Sequence, residues 1–180
     1  PGCEINLPTL TESDYRNISK VIEFGVTGVM LPFVRNKKDL INLKEALIDA
    51  EAEAIEIFAK IENLEGVDKL PEFLDYCQEV VIARGDLGNS MPLWKLPAVQ
   101  KKLAALCRER EKPFMVVTQM LNSMIEKAAP TRAEVMDIYN AVLDGASSVM
   151  LTGETAAGKY PIKAMEYLVR TSEEALDNII

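Results

Sequence analysis

Five short runs rich in β-branched and apolar residues recur along this chain, with helical periodicity before, between and after them. The runs are TGVMLPF (Thr27 to Phe33), AIEIFAKIE (Ala54 to Glu62), EVVIAR (Glu79 to Arg84), PFMVVTQ (Pro113 to Gln119) and SSVMLTG (Ser147 to Gly153). Helical patterning covers about 12–24, 37–49, 65–76, 95–110, 132–144 and 161–178. No low-complexity linker divides this alternation, so one domain over residues 1–180 is expected. Near-continuous apolar strands are those covered on both faces, and the βα alternation calls for a parallel sheet with right-handed crossovers. The class is α/β. Periodicity alone leaves an α/β barrel and an open doubly wound sheet both open.

Some boundaries carry their own chemistry. Thr131 followed by Glu134 forms a capping box, in which hydroxyl and carboxylate satisfy free amides at a helix start. Gly145 follows that helix as its C′ residue, and Pro161 suits the first turn of the last helix.

Composition removes several kinds of function. The chain has 180 residues, 48% of them apolar, which is enough for a substantial core. A net charge of −8 argues against a nucleic-acid or acidic-membrane partner. There is no histidine, which excludes a Ser-His-Asp triad, a histidine metal site and a histidine base. Catalysis would have to rest on carboxylates, lysine, hydroxyls or a metal. Cys3, Cys77 and Cys107 are odd in number and widely spaced, suggesting neither a disulfide framework nor a zinc site. No run has the length of a membrane span and no export signal opens the sequence, so a cytoplasmic location is expected. The first residue is Pro1 rather than Met, and a fragment of a longer chain is therefore expected.

Every strand-like run ends in polar or charged residues: Arg35 and Asn36, Lys60 and Glu62, Arg84 and Asp86, Thr118 and Gln119, Thr152 and Glu154. In parallel α/β folds these C-terminal strand ends build the site. Polar strand ends also arise simply because the chain is leaving the core.

Lys60 and Glu62 are two residues apart, so in a strand they project from one face while Ile57, Ala59 and Ile61 face the other way. That is a site geometry or a salt-bridged strand end. Glu62 and Asp86 follow successive strands and are suited to a hard divalent cation such as Mg²⁺ or Mn²⁺, with positions left for water and substrate. The alternative is ion pairing of these carboxylates with Lys60 and Arg84. Beside a metal, Lys60 could stabilise a developing enolate or, deprotonated, act as a Schiff-base nucleophile, and nearby carboxylates favour the first. Gly85 permits a tight turn that leaves the Gly85 and Asp86 amides available to an anion. The tripeptide RGD at 84–86 follows an apolar strand, which does not fit a cell-adhesion motif. The segment GETAAGKYP, Gly153 to Pro161, lacks the P-loop pattern and reads as a turn with a helix start. Trp94, Met120 and Met124 read as packing residues.

Taken together, IFAKIENLEGV, VIARGDLG, PFMVVTQML, PTRAEVMDIYNAVLDGA and VMLTGET resemble the pyruvate kinase family in order and approximate spacing, across essentially the whole chain. The resemblance implies a (β/α)8 TIM barrel of which five parallel strands are present. It implies that Glu62 and Asp86 hold the divalent ion bridging protein and phosphoenolpyruvate. Lys60 then stabilises charge on the enolate oxygen and the transferring phosphoryl group. Thr118 and the Gly85 and Asp86 amides receive the substrate carboxylate, and Thr118 also lies on the proton path. The implied reaction is phosphoryl transfer from phosphoenolpyruvate to ADP, giving pyruvate and ATP.

The departures matter as much. Missing are the first three barrel strands, whose residues help bind the phosphoryl group and K⁺, together with the mobile lid and the regulatory domain. K⁺ is thus expected of the family, but its site residues are not in this chain. Pro32 stands where the family has serine, Ser90 where an acidic residue is usual, and Glu111 where a helix-ending glycine is usual. A barrel short of three strands has open sheet edges, so a homo-oligomer or a missing N-terminal segment is expected. Two other functions fit the same residues: a Mg²⁺-dependent pyruvate-enolate carbon–carbon lyase, and a non-catalytic scaffold or assembly module.

Overall fold

The computed structural model describes residues 7–178; Cys3 lies outside them. Five strands, β1 (Gly28–Leu31), β2 (Glu56–Ile61), β3 (Glu79–Ala83), β4 (Phe114–Val117) and β5 (Ser148–Met150), form one sheet. Among the described residues eight α-helices accompany them: α1 (Glu12–Ile18), α2 (Lys37–Asp49), α3 (Leu64–Phe73), α4 (Arg84–Asn89), α5 (Leu96–Glu109), α6 (Arg132–Leu143), α7 (Gly153–Ala156) and α8 (Pro161–Asp177).

Strand order separates the two architectures that periodicity left open. A doubly wound sheet reverses its order at a switch point. Here every strand pairs in parallel with the next in sequence, β1-β2-β3-β4-β5. With right-handed crossovers, this steady progress places the helices on one side of the sheet. The fold is α/β with five parallel strands alternating with helices, a partial (β/α)8 barrel.

Side chains sort onto two faces accordingly. Ile57, Ala59 and Ile61 of β2, Val80 and Ile82 of β3, and Phe114 and Val116 of β4 are buried in one core. Leu40 and Leu47 of α2, Leu70 and Phe73 of α3, Leu103 of α5 and Ile138 of α6 belong to the same core. Each such side chain contributes about 1.5–3 kcal/mol through removal from water. The opposite face carries a separate cluster, Val81, Ala83, Met115 and Val117, with Phe58 and Met150 against it. This second face corresponds to the barrel interior.

The expected Thr131–Glu134 capping box is formed, Gly145 adopts φ +88°, and Pro161 opens α8. Other boundaries differ. The first helix ends at Ile18 instead of about 24, because the chain passes into tighter turns (Lys20 N–H to Asn17 O, Val21 N–H to Ile18 O) that bury Val21. α4 and α7 start directly beyond strand ends. Two of the six residues of α4 are glycines, poor helix formers that conceal it from propensity. Met120 and Met124 are fully buried as expected, but Trp94 is 82% exposed, in a 3₁₀ turn that enters α5. Cys77 and Cys107 are buried free thiols, pushed up to about 11 and about 12, chiefly by burial. No helix among the described residues is long and apolar enough to cross a membrane.

Candidate active site

The register of the sheet sets the geometry of the strand ends. Ile61 pairs with Ile82, and Ala83 with Val117, so Glu62, Arg84 and Thr118 each emerge just past the last paired position. Lys60 Nζ lies 2.9 Å from Glu62 Oε1. Glu62 is only 5% exposed, and its other oxygen, Oε2, accepts the Phe33 N–H at 2.8 Å. A buried carboxylate held by a cation and a backbone amide has its desolvation offset and its orientation set.

The segment after β2 explains most of the IENLEG stretch. Asn63 caps α3 through the Gly66 N–H at 2.7 Å, and its Nδ2 donates to the Val34 carbonyl at 3.1 Å. Gly66 sits beneath that carbonyl, where any Cβ would lie 2.4 Å from the Val34 oxygen. Val34 N–H donates in turn to Lys60 O at 3.2 Å. The loop after β1 is thereby sewn to the end of β2, carrying the Phe33 amide to Glu62.

After β3 the chain turns at once into α4, which places Gly85 and Asp86 in a first helical turn, where amides lack intrahelical partners. Asp86 is exposed. A Cβ on Gly85 would meet Thr118 Cγ2 at 2.9 Å, so glycine there lets α4 approach the end of β4. Thr118 has φ +81° and Gln119 φ +56°, both in the left-handed region, unusual for a threonine above all. Two strand-end side chains to which the sequence assigns no role of their own hold this strained bend. Arg84 donates to the Thr118 carbonyl, and Glu154, 1% exposed, accepts the N–H groups of Leu121 at 3.0 Å and Thr152 at 2.9 Å. Arg84 is paired with Asp137 of α6 and not with Asp86.

The structure thus brings Lys60 to Glu62, and Gly85 to Thr118, and sets Asp86 in the first turn of α4, after the strand that pairs with β2. Among the described residues, no group of three or more acidic or cysteine side chains is gathered to hold a metal. The donor set expected from the sequence is the two carboxylates of Glu62 and Asp86. Each oxygen of Glu62 keeps a lone pair beyond its present bond. A hard divalent ion completed by water and substrate oxygens fits that set. A shallow groove along α8, lined by Ile162, Met165, Glu166, Val169, Arg170 and Glu173, includes none of these residues.

Sequential parallel βα units with their polar residues at the C-terminal strand ends define a segment of the (β/α)-barrel class. The family described as pyruvate kinase, barrel domain, matches residues 1–165. Pyruvate kinase from Bacillus licheniformis is 44% identical over 99% of this chain and 31% of its own length. The enzymes from Mycobacterium intracellulare and Geobacillus stearothermophilus are each 42% identical over 99% of this chain, and 38% and 31% of their own lengths. The chain belongs to the pyruvate kinase family, as part of its barrel domain. It spans about a third of the length of the curated relatives it matches.

Proposed function

We propose that this segment supplies the metal and enolate half of a pyruvate kinase site, acting on phosphoenolpyruvate and ADP in the cytoplasm. The observation that carries the reading is the buried Glu62 carboxylate, held 2.9 Å from Lys60 Nζ at the C-terminal end of β2. Glu62 and Asp86 are the residues that would hold Mg²⁺ or Mn²⁺. A divalent ion bound there supplies charge neutralisation for the anionic substrate.

The remaining roles belong to the chain itself. Lys60 offers a fixed positive charge toward the enolate oxygen and the phosphoryl group in transit, stabilising charge where it develops. The amides of Gly85 and Asp86, in the first turn of α4, donate to the substrate carboxylate together with the Thr118 hydroxyl. Thr118 also carries the proton toward the enolpyruvate carbon. Holding that hydroxyl in place is a reason to maintain a left-handed threonine, since strained residues persist where their surroundings over-determine them. K⁺ and part of the phosphoryl contacts come from residues outside this chain. The chain therefore acts with a further segment or as an assembly.

Solvent-proton exchange of pyruvate tests the enolate chemistry without requiring ADP. Wild-type chain with Mn²⁺ is expected to exchange the methyl protons of pyruvate, and Lys60→Met to abolish the exchange while still binding Mn²⁺. Exchange that survives Lys60→Met contradicts the role given to Lys60. Absence of Mn²⁺ binding in every form favours a scaffold.

A further inference from the structure

Asp39 forms part of no recognised motif, yet it is one of the few buried charged residues, at 4% exposure, in the first turn of α2. Its two oxygens collect four hydrogen bonds. Thr9 Oγ1 donates at 2.6 Å, the Arg35 backbone N–H at 2.9 Å, Arg35 Nε at 3.1 Å and Arg35 Nη2 at 2.7 Å. Arg35 Nη1 reaches on to the Leu7 carbonyl at 3.2 Å, and Asn42 Nδ2 donates to Thr9 Oγ1 at 2.9 Å. A buried carboxylate with this many donors fixes all of them in place.

What it fixes is the far end of a strained loop. Phe33 has φ +52°, a conformation that a bulky residue leaves unless held. One side of the loop is held at Val34, by Lys60 O and Asn63. The other side is held at Arg35, whose backbone and guanidinium both end on Asp39. Between them the Phe33 N–H points to Glu62 Oε2.

We propose that Asp39 is a positioning residue for the metal site: by clamping Arg35 it keeps Phe33 in its left-handed conformation, and the Phe33 amide in turn orients Glu62. This rests on the reading of Glu62 as a metal ligand. Outer partners that orient a ligating carboxylate typically change metal affinity by about 10- to 100-fold when removed. The clamp also ties the segment at Leu7 and Thr9 to the site, so displacement of that segment is transmitted to Glu62.

The test uses the chain labelled with ¹⁵N-phenylalanine, which reports separately on Phe24, Phe33, Phe58, Phe73 and Phe114. Amide hydrogen exchange and Mn²⁺ affinity are measured on wild type, Asp39→Asn and Glu62→Gln. Asp39→Asn keeps the shape but sets an NH₂ group against the Arg35 donors. It is expected to lower protection of the Phe33 amide by about 10-fold or more, leave the core amides of Phe58, Phe73 and Phe114 protected, and weaken Mn²⁺ binding about 10-fold. Unchanged protection at Phe33 overturns the proposal, as does loss of that protection with Mn²⁺ affinity intact. The underlying site reading fails by a different result, Mn²⁺ affinity equal in Glu62→Gln and wild type. Should Asp39→Asn lose protection at the core amides as well, Thr9→Val removes a single bond to Asp39. Selective loss at Phe33 in that variant supports the proposal, and no change there overturns it.

Discussion

Arg84 donates two hydrogen bonds to the backbone carbonyl of Thr118, at 2.8 Å from Nη2 and 3.2 Å from Nε, and so grips a residue whose φ of +81° is the largest positive value among the described non-glycine residues. Its remaining arm, Nη1, lies 2.6 Å and 2.8 Å from the two carboxylate oxygens of Asp137 on α6. A planar guanidinium can make both contacts together, whereas an ammonium cannot. Arg84→Lys is expected to destabilise the chain by about 1–3 kcal/mol. A double-mutant cycle of Arg84→Met with Asp137→Asn should show coupling of about 1–2 kcal/mol in urea unfolding. Additive effects would mean that Asp137 does not hold Arg84.

Gly66 gives a sharper steric prediction. Its missing Cβ would lie 2.4 Å from the Val34 carbonyl oxygen, and that carbonyl is tethered by Asn63. Backbone on both sides leaves little room to relax, so Gly66→Ala should cost about 2–3 kcal/mol or more. Gly85→Ala meets the methyl of Thr118 at 2.9 Å, a side-chain contact, and should cost less in stability while disturbing Thr118. Chemical denaturation of the two variants side by side checks the ranking.

Most of the architecture was legible in the sequence, and the reasons are local. Alternating β-rich and helical periods located all five strands, and residue parity in β2 put Lys60 on the opposite face from Ile57, Ala59 and Ile61. The barrel topology was not legible without the resemblance, because strand order is set by pairings between distant residues. Nor were the holders of the site. Asp39 and Asp137 are ordinary charged residues until tertiary packing buries or pairs them, and Arg84 and Glu154, visible as strand-end residues, show what they hold only in the fold. Propensity argues against a left-handed threonine at 118, so the strain there is visible only in the fold. Trp94 went the other way: it reads as a packing residue in the sequence, but its place in the turn before α5 leaves it in solvent.

Acid should weaken the fold through two carboxylates in particular. Burial alone would raise the Asp39 carboxyl, but hydrogen bonds from Arg35 and Thr9 outweigh it and hold the group below its ordinary value of 3.8. Burial likewise opposes, and hydrogen bonds from Ser123 and Thr131 overcome, the same effect at Glu134, which lies below its ordinary 4.5. A carboxylate lowered in the folded state adds stability that is complete above its unfolded pKa and disappears as pH falls through the folded one. Unfolding free energy should therefore drop from about pH 5 downward, and less steeply in an Asp39→Asn, Glu134→Gln double variant. Parallel slopes in the two proteins would contradict this assignment.

Glu111 follows α5 at φ +50°, a C′ position where glycine is the usual residue. Glu111→Gly should relieve left-handed strain by more than the added freedom of the unfolded chain costs, a net gain of roughly 0.5–1 kcal/mol. Thermal melts should then rise by about 1–4 °C. A lower melting temperature would show that the Glu111 side chain makes a contribution its backbone angle does not reveal.

The proposed half-site of Glu62, Asp86 and Lys60 is to be tested by Mn²⁺ binding with and without oxalate, a planar mimic of enolpyruvate. Oxalate is expected to tighten Mn²⁺ binding to wild type, and Glu62→Ala to lose both the binding, by about 10-fold or more, and the enhancement. Binding that ignores oxalate and is the same in wild type and Glu62→Ala would contradict it.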